Sequence, residues 1–468
     1  SLLVDALLSR KQYDKVETML LDMVELPSQR GNLPQMLNSL CRQSKDRKLP
    51  VRFWQAVAQR HKQDADIAIS LARTAQQLSW SDEAMTILQS VATIQPNNAD
   101  LWRILGSNYA RRARYEELLV LMDKSLAGDP ASAVAMGESM TDIAAASNSP
   151  GVERDLAEMA RKSASKNQFA LLYLAGRFAT AKGKDLLAAD LYQRATEKQP
   201  DFYPAYEALL ESYLAQKRDD LVDRLLDRMS AVAKDTYLPY YLRGKVALGR
   251  GKAADAVEPL QEAHRRKKDD LPVVLLLADA YAAAGQQPEA INTLLDALKE
   301  QPDSNAAARK LFDLYVANRL LPDARQLVAQ LQQRDPDNFQ TRLMLAELAL
   351  YAGQRKEAMI LLNQLSSLAP RDADVLALSV RALLGPVPGI VSKKEFDGAA
   401  EKLNRLIQAQ PASRPARKAL ADLLAAVGKT AEAAAIYGTL FDDTPGDKDV
   451  TRCYVDALAD ANQPVEAL

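Results

Sequence analysis

The chain has 468 residues, with 60 Lys+Arg against 61 Asp+Glu and a formal net charge of −1. That balance gives no electrostatic footprint for a nucleic acid or an anionic membrane surface, and no apolar run reaches the ~20 residues of a membrane span. Apolar residues, at 48%, suffice for a core, while two cysteines (Cys41, Cys453) and two histidines (His61, His264) leave little for a disulfide framework, a metal centre or His-based catalysis.

Length alone suggests about three domains of ~150 residues, but an internal period replaces that expectation. Prolines recur as Pro96, Pro130, Pro200, Pro302, Pro336, Pro370, Pro411 and Pro445, with Ser28, Lys62, Lys166, Lys234 and Lys268 on the remaining rungs. Ten of the twelve spacings are 34 residues; the others are 36 and 41.

Positions are numbered within the period from Ala99 as position 1. Apolar residues at positions 4, 7, 8 and 11 form one helical stripe, and those at 20, 24 and 27 a second. Each unit therefore predicts two amphipathic helices. Position 15 holds Gly183, Gly251, Gly285, Gly353 and Gly428, which predicts a left-handed end to the first helix. Small residues at position 8 and alanine at position 20 predict close approach of the pair. Proline at position 32 ends the second helix.

In chain order, residues 1–28 begin inside a first helix and form a partial unit. Residues 29–62 keep the spacing but lose the consensus, with Pro34 and Pro50 where helices should begin. Two regular units follow. Residues 131–166 carry two extra residues, with a turn at 146–151. Six regular units then lead to residues 371–411, where seven extra residues place an inserted turn at 385–396, read as a tolerated surface insertion in preference to a partner-contact loop. One more regular unit and a partial unit at 448–468 complete the chain. This reads as a single continuous array over 1–468 of 12 complete repeats plus a partial repeat at each end, cut from something longer.

Trp102, Leu105, Gly106, Tyr109 and Pro130 sit at the signature positions of a known family, and on these residues the chain resembles the tetratricopeptide repeat family. It departs from that signature at Leu118 and Met122, where Ala and Phe are usual. The resemblance implies an all-α fold, a right-handed α-solenoid superhelix of stacked helix-turn-helix repeats with first helices lining the concave face. It is similar to long bacterial members of the family, which often adjoin a catalytic, membrane or export domain.

No catalytic or metal constellation survives the repeat phase, and no cofactor is expected. Cys41 falls on a core position, and Cys453 faces the groove without a second Cys or His nearby. His61 and His264 lie near second-helix ends and are expected in solvent. Gly244, Gly249 and Lys252 lack the order of a phosphate loop. The basic clusters around Arg111 and Arg265 read as solvated helix ends. The Lys/Asn/Lys/Arg carboxylate clamp of chaperone-tail binders is absent.

Positions 5 and 9 should point into the groove. Position 9 is acidic in six of eight units from Glu211 onward, with Lys245 and Arg381 interrupting. Tyr173 and Tyr241 at position 5, with Leu275, form an expected amphipathic patch beside Arg177, Glu207, Glu211, Lys245, Asp279, Arg309 and Asp313. The expectation is a non-enzymatic scaffold binding a peptide or protein partner along the concave groove. Neither nucleic acid nor direct membrane insertion is expected. The alternatives are a helical arm of a larger enzyme or envelope/export assembly, and self-association through uncapped ends.

Overall fold

The computed structural model describes residues 2–24, 33–60, 65–112, 114–146, 152–162, 167–384, 393–444 and 447–461. The chain divides into two compact units, Ser1–Lys234 and Asp235–Leu468. Among the described residues every regular element is helical, and within each unit consecutive helices stack as an α-solenoid. No helix there is long and apolar enough to cross a membrane.

The pair Leu238–Gly249 and Ala253–Arg266 shows why these residues fold as they do. The first helix closes with Gly251 N–H donating to the Leu248 carbonyl and Lys252 N–H to the Ala247 carbonyl, both at 2.9 Å. That closure needs a left-handed residue, and Gly251 has φ 72°. The same conformation recurs at the other four position-15 glycines. It also recurs without glycine, at Lys11, Lys45, Ser79, Lys217 and Arg319, with φ between 54° and 61°. The period is thus carried by the backbone even where the glycine is missing.

Several first helices open on a side-chain cap directly before position 1, whereas Tyr203–Ala215, Leu238–Gly249 and Arg414–Ala426 open without one. Asn98, Asp270, Ser304, Asn338, Asp372 and Asp447 each accept the backbone N–H three residues on, at 2.9 to 3.3 Å. Pro34 and Pro50 fall in the first turns of Leu33–Ser44 and Leu49–Arg60, where a missing N–H costs nothing.

The pair closes through small residues. A Cβ added at Gly244 would lie 2.3 Å from Leu260 of the facing helix, so only glycine admits this approach. Ala84, Ala188, Ala256, Ala290, Ala324, Ala358 and Ala433 at position 20 are fully buried. Removing a leucine from such a core, Leu311 or Leu362 for example, costs roughly 2–5 kcal/mol.

Two places depart from the regular stack. Ala133–Ala146 packs chiefly on Ala99–Arg111 and Gln168–Ala181, first helix on first helix, rather than on its neighbours in the chain. Gly106, under Ile143, and Gly137, under Tyr173, remove the side chains that would hold these helices apart. The second departure lies near the insertion at 385–396. Its residues 385–392 are outside the described residues, as are 147–151 of the expected turn at 146–151. Residues 393–396 are helix, not loop, and begin the 17-residue Lys393–Ala409. Phe396 packs on the core of the following pair, which draws that turn into the helix.

Candidate functional site: the first helices

Tyr173, Arg177, Glu207 and Glu211 belong to the first compact unit, whereas Tyr241, Lys245, Leu275, Asp279, Arg309 and Asp313 belong to the second.

In the first unit the expectation for Tyr173 is corrected. Tyr173 is 5% exposed and cannot serve as a groove anchor. Gly137 on the adjacent first helix lets the backbone come under the ring. Phe202 meets the ring edge-on at 5.3 Å, and Tyr192 lies at 6.0 Å. Burial pushes the Tyr173 hydroxyl above the ordinary tyrosine range. Arg177 is also drawn inward, donating from Nε to the Gly137 carbonyl at 3.3 Å. Glu207 and Glu211 remain exposed.

In the second unit the geometry differs. Tyr241 is half-buried, resting on the core of Ala256, Leu260, Leu277 and Ala280, with the Tyr237 ring at 6.3 Å. Leu275 is likewise half-buried against the next core, around Leu294, Leu311 and Phe312. Lys245 is exposed. Each of the two apolar side chains has one flank packed and the other open.

The acidic track is corrected in character: four of its six carboxylates, Asp279, Asp313, Glu347 and Asp422, are partnered. Asp279 pairs with Lys310. Arg309 binds Asp313 on its own helix and Glu347 on the next, each at 2.9 Å. Arg381, one helix further, approaches Glu347 at 3.6 Å, and its guanidinium lies 4.3 Å from the Tyr351 ring centroid. Asp422 takes Lys418 at 3.0 Å and accepts the Tyr437 hydroxyl at 2.6 Å. Burial opposes the charge on Arg309, but Glu347 and Asp313 outweigh it and raise its pKa. Burial raises the Asp313 carboxyl despite Arg309. Glu347, absent from the expected patch, is 8% exposed and is the centre of this network. The sequence signal for it is its place at position 9 between two arginines, 38 residues after Arg309 and 34 before Arg381.

Several side chains of the basic clusters are held in ion pairs: Arg112 with Asp82 at 3.0 Å, and Arg265 and Arg266 with Glu262 at 2.6 and 2.7 Å. Cys41 is fully buried and its thiol is pushed up to about 12 by burial. Cys453 is half-buried, and burial raises its thiol too. His61 lies outside the described residues. His264 is not a solvated side chain as expected: it is half-buried, and its Nδ1 is enclosed with no hydrogen-bond partner among the described residues. Among the described residues no group of three or more His, Cys, Asp or Glu could hold a metal ion.

Residues 247–312 and 315–382 match the tetratricopeptide repeat model. No curated relative matches the chain. Among solved structures, yeast Tom70 is 12% identical with a TM-score of 0.45, covering 96% of either chain. A tetratricopeptide repeat protein from Parabacteroides merdae is 15% identical with a TM-score of 0.37, covering 62% of this chain and 98% of its own. Pseudomonas aeruginosa pilF is 19% identical with a TM-score of 0.34, covering 44% and 94%.

Proposed function

We propose that this chain, whose residues 247–312 and 315–382 are tetratricopeptide repeats, is a non-enzymatic scaffold that holds a protein or peptide partner on the concave face of its second compact unit. Such repeats serve generally as protein–protein interaction scaffolds. The observation that carries the reading is the pair Tyr241 and Leu275. Each is seated on a different core and leaves an apolar flank open, the arrangement of an interface anchor. Lys245 beside them is exposed and would orient the partner. Asp279, Arg309 and Asp313 are already paired within the chain, so they would contribute shape and register more than raw attraction.

The test is parallel capture with the wild-type chain and a Tyr241→Ala/Leu275→Ala variant. A partner retained by the first and weakened at least tenfold by the second supports the reading. Equal capture by a folded double variant removes the site from this face.

A further inference from the structure

A cavity of about 590 Å³ lies in the first unit, on the edge of the stack where second helices end and the next first helix begins. Its walls are the last turns of Ser81–Ile94 and Tyr115–Gly128, with the turn at 95–98 that leads into Ala99–Arg111. That volume suits a small organic molecule. None of its lining residues occupies position 5 or 9, so it is separate from the groove-facing positions.

Hydrogen bonds fix this wall in advance. Trp102 Nε1 donates to the Pro96 carbonyl, and the Gln95 N–H to the Val91 carbonyl, each at 2.7 Å. Asn98 Oδ1 accepts the Leu101 N–H at 2.9 Å. Asn97 Nδ2 donates to Asp129 Oδ2 at 2.6 Å, which joins the turn to the end of Tyr115–Gly128. A site already held in shape loses less freedom when it is filled.

Those bonds use one end of each amide and leave the other for a ligand. Asn97 Oδ1 can accept, Asn98 Nδ2 can donate, and Lys124, exposed and in no ion pair among the described residues, can donate from Nζ. Ser125 is 3% exposed, and its hydroxyl has no hydrogen-bond partner among the described residues, which costs free energy until something pairs with it. Lys124 and Asp129 give the lining one charge of each sign, and Asp129 is engaged at both oxygens, by Asn97 and by the Ala131 N–H at 3.0 Å. Net charge therefore favours neither an anion nor a cation. Ile94 and Pro96 supply an apolar strip, and no aromatic ring lines the cavity to stack on a planar ligand.

We propose that this cavity binds a neutral polyhydroxylated ligand of monosaccharide to disaccharide size. A hydroxyl both donates and accepts, so adjacent ring hydroxyls answer the Asn97 acceptor, the Asn98 and Lys124 donors and the Ser125 hydroxyl without bringing in a charge. The C–H face of the ring covers Ile94 and Pro96. A carboxylate would answer the donors alone, and an ammonium group the acceptors alone. The site is in a different unit from Tyr241 and Leu275 and does not rest on the scaffold reading.

The test is saturation-transfer NMR and calorimetry on the full chain, with the methyl glycosides of glucose, galactose and mannose as probes and acetate and methylammonium as comparators. The expected result is saturable binding of at least one glycoside, with a dissociation constant of about 1 mM or below, that neither ion matches at equal concentration. Gly128 closes a helix, and a Cβ built there meets no atom within 4 Å, so Gly128→Leu adds a side chain to the lining without a clash and should weaken binding at least tenfold. Ser125→Ala removes a hydroxyl that lacks a partner, so it should weaken binding several-fold with melting unchanged or raised. Tyr241→Ala should bind the sugar as wild type does, which separates this site from the one proposed above. No binding of any of the three glycosides, equal binding of acetate or methylammonium, or unchanged binding in Gly128→Leu would each overturn the proposal. Should Gly128→Leu misfold, unchanged binding in Ser125→Ala overturns it instead.

Discussion

Arg309 and Glu347 lie 38 residues apart on successive first helices, and their side chains meet at 2.9 Å beside Asp313 and Arg381. Glu347 is 8% exposed, so salt screens this contact less than a surface pair. Replacing it strands two arginines that it now neutralises. Glu347→Gln should destabilise the helix Phe339–Tyr351 by about 1–3 kcal/mol. Amide hydrogen exchange read in that helix is the suitable probe, because a long repeat array need not unfold in one step. Unchanged protection would mean that the arginines find other partners at no cost.

Arg319 occupies the left-handed turn with φ 60°, where five other turns use glycine. That conformation costs a residue with a Cβ about 1–2 kcal/mol, part of which glycine returns through its freer unfolded chain. Arg319→Gly should therefore stabilise the adjoining helices by about 0.5–1 kcal/mol. The check is again local exchange protection, with Gly285→Ala as the opposite change. A loss of protection in Arg319→Gly would show that the arginine side chain contributes more than its backbone costs.

Gly137 and Tyr173 are mutually dependent. A Cβ at 137 would stand 2.9 Å from the Tyr173 ring. Gly137→Ala should force the two first helices apart, costing about 1–3 kcal/mol and exposing the phenol to tyrosine modification reagents. Tyr173→Ala should cost more, about 3–5 kcal/mol, through the cavity it leaves. Tyr241→Ala, from a half-buried site, should cost clearly less than either. Comparison of the three melting curves checks the order.

Buried tyrosines set an alkaline limit. Burial raises the Tyr192 hydroxyl to about 12, against an ordinary value near 10. A raised folded-state value means that its contribution is complete below about 10. As pH climbs from about 10 towards about 12, that contribution is lost, because the unfolded chain ionises first. Stability should then fall by about 1.4 kcal/mol per pH unit for this group. Tyr192→Phe, which also gives up the 3.0 Å contact with the Thr180 hydroxyl, should flatten that slope. Denaturant midpoints across this range, with tyrosinate absorbance alongside, report the outcome.

The two thiols should separate by access. Cys41 is fully buried with its thiol raised to about 12, whereas Cys453 is half-buried. At neutral pH iodoacetamide should label Cys453 slowly and Cys41 only when Leu33–Ser44 opens. Mass spectrometry of a labelling time course distinguishes them; faster labelling of Cys41 would mean that this helix opens readily.

The helices were legible because their causes are local. Apolar residues at helical spacing, glycine at position 15 and proline at position 32 act within one unit and recur with its period. The core place of Cys41 was equally legible. Position within the period also says which side of a first helix a residue occupies. It does not say how far away the next first helix is.

That distance is a property of packing between units, and it decided the character of each candidate residue. Around Gly106 and Gly137 the first helices touch, and Tyr173 is core. In the second unit Tyr241 holds the same position and keeps an open flank. Charge followed the same rule. Residues 34 or 38 apart become neighbours only when helices stack, so the pairing of Arg309 and Arg381 with Glu347 was settled by tertiary contact.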